Sequence, residues 1–333
     1  MSAAPEVPAE LLARWGVPQD ADLARTERGT NNQSFAVVHG DRRWVLRISQ
    51  NLSAAQVRAE HRLLGWLRRA DLPYEVPEPM AMTVGGTVAE TRAGPATLCR
   101  WIPGVRPDLA DERALERFGR AFGMLGEAMR HVPPDDAPQD WRGDPLRVHP
   151  DVPDLDELCR DLRAAGVSRE QTGLLHRAAR RVAAWRPEAG DELPVQVIHG
   201  DVAGSNTLVD ERTGQVTALL DFEAAGAGFR VHDLAAGLLQ TGVLDGPQWQ
   251  RRAAVLIRGH ASVRRLGEAE IRAVPELLIG RCVGSVLWRA GRWRRGQSRV
   301  DGIAERLDRL EATMHWLRTS REQLLSVLAS NGG

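Results

Sequence analysis

The sequence predicts an α+β protein of two lobes, a β-rich first lobe over 1–101 and a larger α-rich second lobe over 102–333. Three observations predict it. Short β-branched and aromatic runs dominate the first hundred residues around one helical stretch. Pro103-Gly104 then breaks the chain. Beyond that break, apolar residues recur mostly at helical spacing, with one compact β segment embedded among them.

In order along the chain, Phe35 to Val38 and Trp44 to Ile48 read as strands around the turn His39-Gly40-Asp41-Arg42, a hairpin signature. Ser53 and Gln56 have capping-box spacing, and Val57, Leu64 and Leu67 follow at helical spacing up to Arg69. Proline-punctuated strand-like segments reach Thr97 to Ile102. Leu115, Phe118, Phe122, Leu125 and Met129 then fall on one face of a helix, with Gly119, Gly123 and Gly126 permitting close packing. Val132 to Pro153, rich in proline and aspartate, reads as a long loop. Helices near Leu155 to Ala165 and Glu170 to Trp185 follow. Val195 to Ile198, Thr207 to Val209 and Val216 to Leu220 form the β segment, and Ile303, Leu307, Leu310, Met314 and Leu317 mark a C-terminal amphipathic helix.

Composition narrows the function classes. The formal net charge of the 333 residues is zero, which gives no general attraction to nucleic acid or anionic membrane. All 44 basic side chains are arginine, so any site that ordinarily uses lysine must use arginine here. Cys99, Cys159 and Cys282 share no metal-like spacing and suit a reduced, cytoplasmic protein. The N-terminus lacks a signal-peptide pattern, and no apolar run approaches the ~20 residues of a membrane span.

The chemistry concentrates between Val197 and Ala235. His199-Gly200-Asp201 follows an apolar strand, Asn206 comes five residues after Asp201, and Asp221-Phe222-Glu223 comes fifteen after Asn206. Phosphoryl transfer needs metal to neutralise phosphate and a carboxylate to position and deprotonate the attacking hydroxyl. Asn206 and Asp221 offer oxygen ligands of the kind Mg2+ accepts beside phosphate and water. Asp201 is placed to face the acceptor. The competing reading is that these polar residues merely cap turns.

The segment resembles the aminoglycoside phosphotransferase and choline kinase superfamily, which shares the protein-kinase-like bilobal fold. Those enzymes carry HGD-x4-N, then a DF or DW pair, then a DLA, matched here by Asp233-Leu234-Ala235. The resemblance spans roughly residues 22 to 320 and implies Asp201 as catalytic base, with Asn206 and Asp221 as Mg2+ ligands. It implies that Asp233 braces the catalytic loop and that His199 is structural. Gly29-Thr30-Asn31-Asn32-Gln33-Ser34 falls where the family has a phosphate-covering loop, so Asn31, Asn32 and Ser34 become nucleotide-binding candidates; an ordinary polar turn is the plainer reading. Arg47 falls where kinases place a phosphate-gripping lysine, with Glu60 as its helix partner. Arginine's planar fork is not a simple swap for lysine. A strand-edge charge and an exposed helix charge are the alternatives. Leu98 to Trp101 matches the inter-lobe hinge, which makes Cys99 and Trp101 candidates for meeting the base. ATP or GTP is the implied donor. Val202 to Ser205 lacks the basic or histidine residue many relatives keep, which leaves the transferring phosphate to Arg47 or a substrate-side arginine.

The resemblance implies a small-molecule hydroxyl as the acceptor. Between Asp135 and Asp161 lie nine acids and three arginines, which suit either a cationic, amine-bearing acceptor or a solvated loop and helix start. Leu277 to Arg295, with Trp288, Trp293 and several arginines, resembles the homoserine-kinase-like branch, where late helices border the acceptor; tryptophans packed in a core are the alternative. Two rivals complete the set. One is a catalytically silent kinase-fold protein, the other a kinase for protein side chains. The second is disfavoured because Asp233-Leu234-Ala235 follows Asp221 too soon for an activation segment.

Overall fold

A computed structural model describes the chain over residues 9–26, 32–133, 136–138, 144–190 and 192–333. Its contacts divide into two units. One comprises Met1–Arg106, Val132–Pro138 and Thr207–Glu223, the other Pro107–His131, Gln139–Asn206 and Ala224–Gly333.

The first unit begins with α1 (Ala9–Ala13) and β1 (Asp22–Arg25), followed by the predicted hairpin of β2 (Asn32–His39) and β3 (Arg42–Ser49). Gly40, at φ +57°, supplies the left-handed backbone that the tight connection demands. α2 (Ala54–Leu67) starts at Ser53, whose side chain and that of Gln56 close the expected capping box. β4 (Ala89–Thr91) and β5 (Gly94–Arg100) complete an antiparallel sheet of order β1-β2-β3-β5-β4. Phe35, Val37, Trp44, Leu46, Ile48 and Leu98 alternate onto its buried face. This unit also holds the hairpin of β7 (Thr207–Val209) and β8 (Val216–Leu219), tied on by backbone pairing of Val105 with Val209 and of Glu75 with Thr217 and Leu219.

The second unit is mainly helical. α3 (Glu112–Met129) buries the predicted stripe and meets α7 (Trp249–Ala261) backbone to backbone. A Cβ on Gly119 would run into the Leu256 carbonyl, and one on Gly259 into that of Glu116. Gly126 does not share this role; its neighbour is the Gln196 amide, which donates to its carbonyl at 2.7 Å. α4 (Leu155–Ala164) begins at Asp154, which caps the Glu157 N–H at 2.8 Å, and α5 (Arg169–Gly190) runs five residues past the predicted end at Trp185. β6 (Val195–Ile198) pairs not with β7 but with β9 (Gly226–Phe229), a strand the sequence did not announce. α6 (His232–Gln240), α8 (Glu268–Arg294) and α9 (Asp301–Gly332) follow. In α9 the stripe shifts from Met314 to Thr313, which is buried.

Candidate active site

The loop after β6 is fixed from two sides in the second unit. Asp233, in the first turn of α6, is buried and accepts the backbone N–H groups of His199 at 2.8 Å and Gly200 at 2.9 Å. Burial alone would raise the Asp233 carboxyl, but hydrogen bonds and the nearby His232 and His199 hold it below the usual carboxylate range. Gly200 has φ +78°, and a Cβ there would stand 2.5 Å from the Ala224 carbonyl oxygen, so the glycine is required by both conformation and space. His199 is fully buried, its ring edge-on to Phe122 at 5.5 Å, and its Nδ1 accepts the Asp201 N–H at 3.2 Å.

Asp201 is thereby presented to three side chains. Asn206, at the end of the short 3-10 turn Gly204–Asn206, donates from Nδ2 to the Asp201 carbonyl at 2.9 Å and to Oδ2 at 3.0 Å. Gln240, at the end of α6, donates to Oδ1 at 2.9 Å, and Arg281 of α8 reaches Oδ1 at 2.5 Å. Burial pushes this carboxyl up, yet Arg281, Gln240, His199 and Asn206 together hold it below the usual carboxylate range. Asp201 is therefore ionised at neutral pH. Gln240 and Arg281 escaped individual prediction, being 39 and 80 residues from Asp201; the general reading of arginines between Leu277 and Arg295 pointed toward Arg281, and no reading pointed toward Gln240.

The first unit carries the other candidates. Sheet register pairs Ser34 with Arg47, Arg47 with Thr97, and Val45 with Cys99, while the Trp101 N–H donates to the Arg43 carbonyl. Partners across an antiparallel sheet share a face, so Asn32, Ser34, Arg47 and Cys99 lie along one face of it, and Trp101 follows just past the end of β5. Arg47 donates to Glu60 of α2 at 2.6 Å, and its other guanidinium nitrogen stands 3.9 Å from Asp221 Oδ1. Burial would lower the Arg47 pKa, but Glu60, Glu223 and Asp221 raise it above the ordinary arginine value. Glu60 is buried against this arginine, not exposed on its helix. Asn32 donates to Glu223 at 2.6 Å, which commits one oxygen of that carboxylate to a protein partner. Burial pushes the Cys99 thiol up to about 11, so it remains protonated. Asn31, with Gly29 and Thr30, lies outside the described residues.

Asp221 is the one non-glycine residue with positive φ among those described, at +63°. Aspartate tolerates this left-handed conformation better than most residues. Phe222 beside it is fully buried and anchors the turn.

Among the described residues no cluster of three or more His, Cys, Asp or Glu side chains forms a ready metal cage. Asn206 and Asp221 each carry an oxygen donor of the kind a hard cation takes beside phosphate and water. Asn206 turns its amide nitrogen toward Asp201, and its carbonyl oxygen, on the other side of the amide, accepts from the Ser205 hydroxyl at 3.5 Å.

The acidic stretch before α5 is largely consumed in structural pairs. Asp151 binds Arg295, Glu157 and Asp161 bind Arg294, and Asp156 meets His176 at 3.0 Å. Asp135 and Asp140 lie outside the described residues. Trp288 packs edge-on against the buried His149 at 5.1 Å. No helix among the described residues is long and apolar enough to cross a membrane.

Similarity to known proteins bears on the family and the fold. A homoserine kinase from Gluconobacter oxydans is 28% identical over 224 residues, covering 65% of this chain and 66% of that protein. A microcompartment-associated aminopropanol kinase superposes with a TM-score of 0.73 at 20% identity, covering 95% of this chain and 97% of that one. Amicoumacin kinase hAmiN, solved with AMP-PNP and Ca2+, gives a TM-score of 0.67 at 13% identity, covering 94% of each chain. The profile of the phosphotransferase enzyme family (APH) matches residues 22–273, three quarters of the sequence. The chain belongs to the phosphotransferase enzyme family and is a small-molecule kinase with the α+β, protein-kinase-like fold.

Proposed function

We propose that this kinase transfers the γ-phosphoryl group of Mg2+-bound ATP or GTP to the hydroxyl of a small, amine-bearing acceptor of the homoserine, amino-alcohol or aminoglycoside kind. The observation that carries this reading is the state of Asp201. Its carboxylate is held ionised and oriented by Asn206, Gln240 and Arg281 on a loop pinned by Asp233.

In this reading the lobe of 1–101 holds the nucleotide, and 102–333 supplies the catalytic loop and the acceptor pocket. Asp201 orients the acceptor hydroxyl and takes its proton as the new oxygen–phosphorus bond forms and the bond from the γ-phosphorus to the nucleoside diphosphate breaks. Its carboxylate is a weak base because three donors already bind it, which suits a loose transition state where deprotonation comes late. Asn206 and Asp221 would hold the metal, which when bound neutralises charge on the phosphates. Arg47, fixed by Glu60, would present a permanent cation to the nucleotide phosphates, with Asn32 and Ser34 on the same sheet face. The relatives' activities, those of a homoserine kinase and an aminopropanol kinase, support an acceptor of that size. Three free cysteines support a cytoplasmic site of action.

The test is release of nucleoside diphosphate with Mg2+ and ATP or GTP across amino alcohols, hydroxy amino acids and aminoglycosides. Acceptor-stimulated release with a phosphorylated product supports the reading. Nucleotide binding without turnover on any acceptor would instead indicate a silent kinase fold.

A further inference from the structure

A cavity of about 400 Å3 opens beside the catalytic loop, entirely within the second unit. Its wall includes Gln240 and Arg281, the two side chains that hold Asp201 Oδ1. Whatever fills it therefore sits next to the proposed base. The volume suits a small ligand.

The charge of this wall is its unusual feature. Arg281, Arg306 and Arg309 all line it. Among the described residues Arg281 has one acidic partner, Asp201, and its buried Nε has no hydrogen-bond partner. Arg309 is tethered through Nη2 to the Leu239 carbonyl at 2.6 Å, a contact that leaves its charge uncompensated. Arg306 is half-buried and makes no ion pair or hydrogen bond among the described residues. The neighbouring acids are Asp201 and Glu305; against them stand Arg281, Arg289, Arg306 and Arg309. Burial and then Arg289, Arg281 and Arg309 push the Arg306 guanidinium below its ordinary value, with Glu305 opposing. Cations held this close, partly desolvated and without matching carboxylates, cost free energy in the unliganded fold. Elsewhere in this unit Arg294 pairs with Glu157 and Asp161, and Arg295 with Asp151. The cluster of Arg281, Arg306 and Arg309 instead faces the cavity beside the base.

We propose that Arg306 and Arg309, with Arg281, form an anion subsite, so that the acceptor presents a carboxylate or comparable anionic group beside its reacting hydroxyl. The inference rests on the phosphotransfer reading above and narrows it. Among amine-bearing acceptors it favours hydroxy amino acids over amino alcohols and polycationic aminoglycosides. Arginine forks bind carboxylate and phosphate alike, so the shared requirement is the anion.

The experiment compares three four-carbon or shorter acceptors that differ by one group: L-homoserine, 3-aminopropan-1-ol, which lacks its carboxylate, and 4-hydroxybutanoate, which lacks its amine. Glycerol 3-phosphate is the phosphate-bearing arm. For wild type, kcat/KM should fall roughly 10- to 100-fold from homoserine to 3-aminopropan-1-ol, the range for losing a charged hydrogen-bond partner. In Arg306→Gln and Arg309→Gln the KM for homoserine should rise by a similar factor, and the discrimination between the two amines should collapse. Homoserine should raise the thermal midpoint of wild type and not of Arg306→Gln. Arg306→Gln itself should melt no lower than wild type, since it relieves repulsion, which separates loss of binding from loss of fold. Preference for glycerol 3-phosphate would keep the anion subsite and assign it to phosphate. Equal use of 3-aminopropan-1-ol and homoserine, or unchanged KM in both variants, overturns the subsite while leaving phosphotransfer intact. Absence of phosphorylation of any acceptor would instead sink the parent reading.

Discussion

Replacing Asp233 by Asn is the sharpest perturbation of the loop that presents Asp201. The wild-type carboxylate accepts two backbone N–H groups, from His199 at 2.8 Å and Gly200 at 2.9 Å. The isosteric amide can accept through one oxygen only, so its NH2 group must face the other N–H. One charge-assisted bond is lost and one buried donor is left facing another donor. Each of these costs about 1–3 kcal/mol, so unfolding free energy should fall by about 2–6 kcal/mol in total. The same change frees the backbone two residues before Asp201, so kcat should fall with little change in the nucleotide KM. Urea denaturation and steady-state turnover measure the two effects. The pH dependence has a definite sign. Because the folded carboxyl titrates below its ordinary value, its stabilisation is complete above about pH 4 and fades as pH drops through the folded value. The variant should therefore lose less stability than wild type on acidification. An Asp233→Asn protein with wild-type stability and turnover would refute the bracing role.

Other substitutions give separable outcomes. Arg47→Met strands the buried Glu60 without its partner, which should cost about 3 kcal/mol and weaken nucleotide binding, read by denaturation and by nucleotide titration. Gly119→Ala drives a methyl into the Leu256 carbonyl and should destabilise by about 2–3 kcal/mol through separation of α3 from α7, measured as a lower urea midpoint. The acid limb of kcat/KM should lie below the usual carboxylate range in wild type and move up in Arg281→Gln, since Arg281 is the largest influence lowering the Asp201 carboxyl; a pH–rate profile of both proteins checks it.

What was legible in the sequence was local. The hairpin of β2 and β3, the Ser53 capping box and the α3 stripe are set by residues within a few positions of one another, and each formed as read. The His199-Gly200-Asp201 motif carried its own geometry, because the glycine conformation and the His199 contact to the Asp201 N–H are short-range. Pairing between distant segments was not legible. β9, Gly226–Phe229, holds one strong strand former among glycines and alanine, and it exists because β6 offers it an edge. Gln240 and Arg281 look like any polar residues at a helix end and on a helix face; only the packing of α6 against α8 brings them to Asp201. The acidic stretch before α5 suggested a cationic ligand from charge alone. The arginines that neutralise much of it lie more than 130 residues away, on α8 and just past its end.

The central claim is that Asp201 is the base of a small-molecule phosphoryl transfer. The most direct measurement is acceptor-dependent nucleoside diphosphate release by Asp201→Asn beside wild type, with folding checked by thermal unfolding. A loss of roughly 10²- to 10⁴-fold in kcat, in a folded protein that still binds nucleotide, is the predicted result. Turnover within a few-fold of wild type would contradict it.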